Sequence, residues 1–133
     1  MKEMTKIFVK YFNDKIIIDE LISILINIAY FLPVETNMDL LTNDYLKIYS
    51  KLSEKYFNDD IIFNDLIILL GNLSNDNKLA QKIFYETKLF EEIYRMGQNP
   101  KAPKSKKDIS IWFLAIFTNG IPKNNNFINN IEL

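Results

Sequence analysis

The chain has 133 residues, is nearly half hydrophobic and carries a formal net charge of −1. That length suits one domain or about three helical repeats, and the balanced charge lacks the basic excess typical of nucleic-acid binders. It contains neither cysteine nor histidine, which excludes disulfides, thiolate metal sites and thiol nucleophiles, and removes the usual neutral-pH general base and the commonest metal ligand.

Glycine and proline are scarce, at three and four residues. Long periodic stretches with few turn signals predict an all-helical chain. The first segment, from Lys2 to Phe12, places Met4, Ile7, Phe8 and Tyr11 at helical spacing and reads as the tail of an incomplete repeat. The second runs from about Asp14 to Leu32 and stops at Pro33, which cannot continue a helix. Its core stripe is Leu21, Leu25 and Ile28, flanked by Ile17, Ile24 and Leu32. Thr36 or Asn37 is expected to cap a short helix through Leu41. Asn43 or Asp44 would cap a longer one to about Phe57, with Leu46, Tyr49, Leu52 and Tyr56 in register. Asn58 or Asp59 begins the next helix, which ends near Ser74, and Asn75 begins a short one around Leu79, Ile83 and Phe84. Lys88 to Met96 follows, with Gly97 as a C-cap residue. Gln98 to Lys107 reads as a Pro- and Lys-rich loop. Asp108 then caps a helix through Phe117, ended by Asn119-Gly120, before Ile121-Pro122, an Asn-rich stretch from Lys123 to Asn126, and a short helical stub.

One pattern recurs along this order. Ile16–Asn27 reappears without a gap as Ile61–Asn72, 45 residues on, and more loosely as Asp108–Ile116, another 44 residues on. A period of roughly 40–47 residues is the signature of armadillo or HEAT arrays, which stack into a superhelix with an extended binding surface. The expected fold is therefore an all-α, armadillo-type α-α solenoid of about three partial repeats. We read residues 1–133 as a single domain, with a partial repeat at 1–14, repeats at about 15–58 and 59–107, and an incomplete one at 108–133. Within the repeated helix one stripe is core: Leu21-Leu25-Ile28, Leu66-Leu70-Leu73 and Ser110-Leu114-Phe117. A second stripe holds Glu20-Ser23-Asn27, Asp65-Ile68-Asn72-Asp76 and Trp112-Ile116. Side chains three or four apart share a helix face, so stacking would align the second stripe along one groove. An amide there offers a donor and an acceptor to an extended peptide backbone. A tryptophan offers a wall for a lysine stem, and a carboxylate selects a basic side chain.

Three segments carry a resemblance: Leu25-Ile26-Asn27-Ile28-Ala29, Leu70-Gly71-Asn72-Leu73-Ser74-Asn75-Asp76, and Trp112-Phe113-Leu114-Ala115-Ile116-Phe117-Thr118-Asn119-Gly120. Together they resemble the third-helix motif of the importin-alpha (karyopherin-alpha) armadillo family, in which Trp and Asn stand four apart. The likeness spans roughly residues 16–127 and is nearest to the family's repeats two to four. It implies a nuclear-import adaptor of cytoplasm and nucleus that binds lysine-rich localisation peptides in a concave groove, with importin-beta as the family's usual partner. Position by position it implies Asn27 and Asn72 as backbone clamps, Trp112 as a groove wall, Asp76 as the partner of a lysine, and Thr36 near that pocket. Ser23 and Ile68 stand where the family has tryptophan, and Ile116 where it has asparagine. The competing reading is a degenerate armadillo scaffold that packs against other proteins without binding such signals.

No catalytic residue, metal site, cofactor or nucleic-acid partner is assigned. No apolar stretch approaches the roughly 18–20 residues of a membrane span. The start, Met1 to Lys6, lacks a secretory cleavage pattern, so a soluble intracellular protein is expected. The run Lys101-Ala102-Pro103-Lys104-Ser105-Lys106-Lys107 is consistent with a short basic address signal or with a solvated loop.

Overall fold

The computed structural model describes residues 2–118, without the side chains of residues 2, 34, 36 and 118. The expectations for Asn119-Gly120, Ile121-Pro122, the Asn-rich stretch and the terminal stub lie outside that range. The described chain is all-helical, with no strand among the described residues: α1 Lys2–Lys10, α2 Lys15–Phe31, α3 Val34–Asn37, a 3₁₀ turn Met38–Leu41, α4 Asn43–Lys55, α5 Asp60–Ser74, α6 Lys78–Tyr85, α7 Lys88–Gln98 and α8 Lys104–Thr118. The order itself repeats. A short helix, a middle helix and a long apolar helix occur as α3 with its 3₁₀ turn, α4 and α5, and again as α6, α7 and α8, with α1 and α2 equivalent to the last two members.

Local chemistry sets several boundaries. Asp14 caps α2 by accepting from the Ile17 backbone N–H at 3.2 Å, and Asp59 caps α5 by accepting from Ile62 N–H at 3.0 Å. Pro33 follows the end of α2 as expected. Other assignments from sequence need correction. The helix before Phe57 is entered from Thr42, which makes no side-chain capping bond, rather than from a capping Asn43 or Asp44. α6 is capped by Asn77, which accepts from Ala80 N–H at 3.0 Å, because Ser74–Asn77 is spent on a turn. Asn37 is no cap; its amide donates to the Ala29 carbonyl at 3.0 Å and ties α3 back to α2. α8 begins at Lys104, so half of the expected lysine-rich loop is helical. Asp108 lies inside that helix, and Lys106 is buried at 3% exposure.

The chain divides into two compact units, one up to Leu73 and one from Ser74. In the first, α5 is apolar nearly all round: Ile62, Phe63, Leu66, Ile67, Leu69, Leu70 and Leu73 are all buried. Its partner α2 buries Ile18, Leu21, Ile22, Leu25 and Ala29, whereas Ile24 and Leu32, expected to flank its core, are exposed. Two contacts fix how these helices meet. Lys15, at the start of α2, pairs with Asp59 at the start of α5, and Asp65, in the second turn of α5, hydrogen-bonds Asp19, one turn into α2. The helices therefore run side by side in the same direction. α4 contributes Tyr45, Ile48, Tyr49 and Leu52 to this core, and the Tyr49 hydroxyl donates to the Leu40 carbonyl at 2.8 Å.

The second unit is built on rings. Phe90 of α7 lies 4.7 Å from Phe117 and 6.2 Å from Phe113, both on α8. Each fully buried side chain of this size contributes about 1.5–3 kcal/mol. Gly97, expected as a C-cap, is instead a buried helical residue of α7. A methyl group there would meet Leu114 Cδ1 at 3.4 Å and Ser110 Cβ at 3.6 Å, ordinary van der Waals distances. Gly97→Ala should therefore raise the stability of the protein by about 0.5–1 kcal/mol through helix propensity. Gly97→Leu should lower it by about 1–3 kcal/mol through overpacking against α8. Urea denaturation monitored by circular dichroism distinguishes the two.

Candidate functional site

The second sequence stripe lies on accessible surface. Asn27 and Ser23 of α2 are exposed, and Ile68 and Asn72 of α5 are half-buried. Ser23 turns its hydroxyl back on its own helix, donating to the Asp19 carbonyl at 3.0 Å. Asn27 and Asn72 each lie two turns beyond a member of the Asp19–Asp65 pair, at matching heights on neighbouring helices. Thr36 lies on the backbone of α3; its side chain is outside what the structure describes.

In the second unit, Asp76 and Trp112 line one cleft of about 340 Å³, together with Asn75, Lys78, Gln81, Ala115 and Ile116. Two elements build it. α8 supplies the apolar wall, with Trp112 40% exposed and Ile116 half-buried. The turn between α5 and α6 supplies the polar side. There the Asn77 N–H donates to the Ser74 carbonyl at 3.2 Å, and Asp76 takes a left-handed backbone conformation with φ of 52°. Asp and Asn tolerate that conformation better than other residues with a Cβ. Asp76 is exposed.

Sequence reasoning missed Gln81. It is only 3% exposed, its amide N–H donates to the Ser74 carbonyl at 2.8 Å, and its Oε1 has no hydrogen-bond partner in the protein. A buried acceptor without a partner costs about 1–3 kcal/mol. Gln81 and Asp76 both line the cleft, with Lys78 as its one basic lining residue, but Oε1 itself is withdrawn from solvent and the exposed acceptor is the Asp76 carboxylate. Such a site suits a ligand that donates hydrogen bonds and carries positive charge. Nothing local in the sequence marks Gln81, since its role depends on the turn that α6 folds against.

The Asp19–Asp65 pair was also missed. Loss of solvation first, then the hydrogen bond to Asp19 and that group's charge, together raise the Asp65 carboxyl to about 6. Protonated Asp65 donates to Asp19, and the Asp19 Oδ1 and Asn64 Oδ1 atoms remain buried without partners. A separation of 46 residues, one off the repeat period, was the available signal. Lys15 raises its own affinity for a proton through its hydrogen bond to Asp59. The Asp59 carboxyl is lowered first by the Ile62 N–H and then by Lys15.

No family model, curated protein or solved structure matches the chain.

Asp65 binds its proton more tightly folded than unfolded, so folding stability should fall as pH rises from about 4 to about 6 and level off above. The full linkage value of such a shift is about 3 kcal/mol, which solvent screening at a half-buried carboxyl reduces to about 1 kcal/mol. About half of that is lost between pH 5 and pH 7, so we expect a melting temperature about 1–3 °C higher at pH 5 than at pH 7, and no such difference in Asp65→Asn. Separately, Asp76→Asn should leave stability unchanged, and Asp76→Ala should lower it by about 1 kcal/mol, the left-handed penalty for a side chain without a local hydrogen-bonding group. Thermal melts of the three proteins measure both effects.

Proposed function

We propose that the chain is a protein-binding module of armadillo type, whose α6–α8 cleft receives a lysine side chain from an extended segment of a partner. The observation that carries this reading is that Asp76 and Trp112, 36 residues apart in the chain, line one cleft. The ammonium of a bound lysine meets the Asp76 carboxylate, while its aliphatic stem lies on Trp112 and Ile116. Lys78 opposes this at the rim and sets a limit on affinity.

The superhelical arrangement is part of the same proposal. The repeating short–middle–long order of helices supports it, as does the same-direction pairing of α2 with α5. Within the first unit, the same reading gives Asn27 and Asn72 the role of clamping the backbone of an extended segment. The likeness to importin-alpha narrows the ligand to basic nuclear-localisation peptides and the role to import, with cytoplasm and nucleus as the sites of action.

A specific observation favours a second reading, a scaffold without cargo. Ser23 and Ile68 supply no aromatic wall, and α2 ends in an exposed Tyr30–Phe31 pair with ring centroids 4.9 Å apart that offers itself to another protein.

A labelled lysine-rich peptide, followed by fluorescence anisotropy, separates the two. Under the cargo reading the peptide binds, and binding weakens as salt rises. Asp76→Asn then costs about tenfold in affinity, and Trp112→Ala costs about 0.5–2 kcal/mol. Absence of binding by a protein that is helical by circular dichroism rejects the cargo reading in favour of the scaffold.

A further inference from the structure

The first unit carries a groove of opposite electrostatic character, between α1 and α4. Its volume is about 440 Å³. Phe8 and Ile48 are buried at its floor, Phe12 is half-buried, and Val9 is 70% exposed within it. Four lysines line it: Lys6 and Lys10 from α1, Lys47 and Lys51 from α4. In a chain of net charge −1, that gathering of like charge around an apolar floor has a cost. Lysines four apart on one helix repel each other, and here both helices carry such a pair. Lys6 is engaged only by Glu3, at 3.4 Å in a fully solvated pair of little strength. Lys10 lies 5.3 Å over the Tyr11 ring. Among the described residues Lys47 and Lys51 have no ion-pair partner. Asp44, in the first turn of α4, is the one carboxylate in the wall.

We propose that this groove docks an acidic amphipathic helix of a partner protein. The arrangement of charge selects that occupant. An anionic amphiphile with a single head group would satisfy one lysine and leave three. The lysines instead form two rows, one on each helix, spaced by one helical turn of about 5.4 Å. A helix lying along the groove presents the same spacing: an apolar stripe at i, i+3, i+4 and i+7 covers Phe8, Val9, Phe12 and Ile48, and carboxylates flanking that stripe at i and i+4 meet the two rows. Asp44 repels the carboxylates nearest to it and so disfavours acidic residues at that end. This groove and the α6–α8 cleft take ligands of opposite charge, so each is tested without reference to the other.

The probe is a labelled synthetic helix about four turns long, with a leucine stripe flanked by glutamates. We expect micromolar binding at low salt that weakens toward physiological ionic strength. The exposed double variant Lys47→Glu/Lys51→Glu should bind about tenfold or more weakly, and Asp44→Asn about two- to threefold more tightly. Val9→Glu, at an exposed floor position that leaves folding intact, should abolish binding while circular dichroism stays unchanged. A scrambled peptide of the same composition, lacking the stripe, should bind at least tenfold more weakly. Equal binding of the scrambled peptide, indifference to the lysine reversals, or no binding of the striped helix would overturn the proposal. So would sodium laurate binding more tightly than the helix and displacing it, which would make the occupant a lipid amphiphile.

Discussion

Helix α5 has almost no polar circumference, and that constraint organises the first unit. Seven of its side chains are withdrawn from water, so neighbours must cover it on most sides, and α2 and α4 are amphipathic in the way that covering requires. Exposing such a helix would return roughly 1.5–3 kcal/mol per large apolar side chain to water, far beyond what its caps contribute. What is left for any other purpose is one narrow strip, Asp65, Ile68 and Asn72. Polar groups in that strip are close enough to the core to need partners, and Asp65 finds one in Asp19 with its carboxyl raised to about 6. The Lys15–Asp59 pair at the same end contributes little energy in solvent but marks the alignment: equivalent helices meet start to start.

On the proposed reading, that alignment is what gives the repeat a use. Where two equivalent helices run in the same direction, residues at equivalent positions recur at the same height, and an accessible strip becomes a row of similar groups. Asn27 and Asn72 stand in such a row. In the second unit the equivalent helix α8 turns Trp112 outward, while Phe113, Leu114 and Phe117 close on α7. The polar half of the α6–α8 cleft comes from elsewhere, from a turn whose one left-handed residue is Asp76. Rigid apolar wall and strained polar turn are separate inventions of the fold, brought to one place.

The two concavities divide the chain's charge. One carboxylate and one lysine line the α6–α8 cleft, and four lysines with one carboxylate line the α1–α4 groove. Near-zero net charge conceals this, because the total says nothing about segregation.

The helices, their approximate limits and the buried stripes were legible in the residues, because helical periodicity and side chains that cap their own backbone are local properties. Asp14, Asp59, Pro33 and the stripe Ser110-Leu114-Phe117 show this directly. The internal repeat was legible too, since it is a property of the chain. Where sequence reading failed, a distant partner decided. Gly97 looks like a terminator and is a contact surface for Leu114 and Ser110. The lysine run at 101–107 looks like a loop and opens α8 with Lys106 buried. Asn75 and Asn77 are equally good caps in isolation, and only the turn that seats Gln81 against Ser74 selects Asn77. The same holds for every site on this protein. Residue types and spacing announced that Asp76 and Trp112 were worth watching, but their meeting in one cleft, the adjacency of Asp19 and Asp65 and the two lysine pairs of one groove all join residues far apart in sequence. Such proximities are set by packing, which no local pattern encodes.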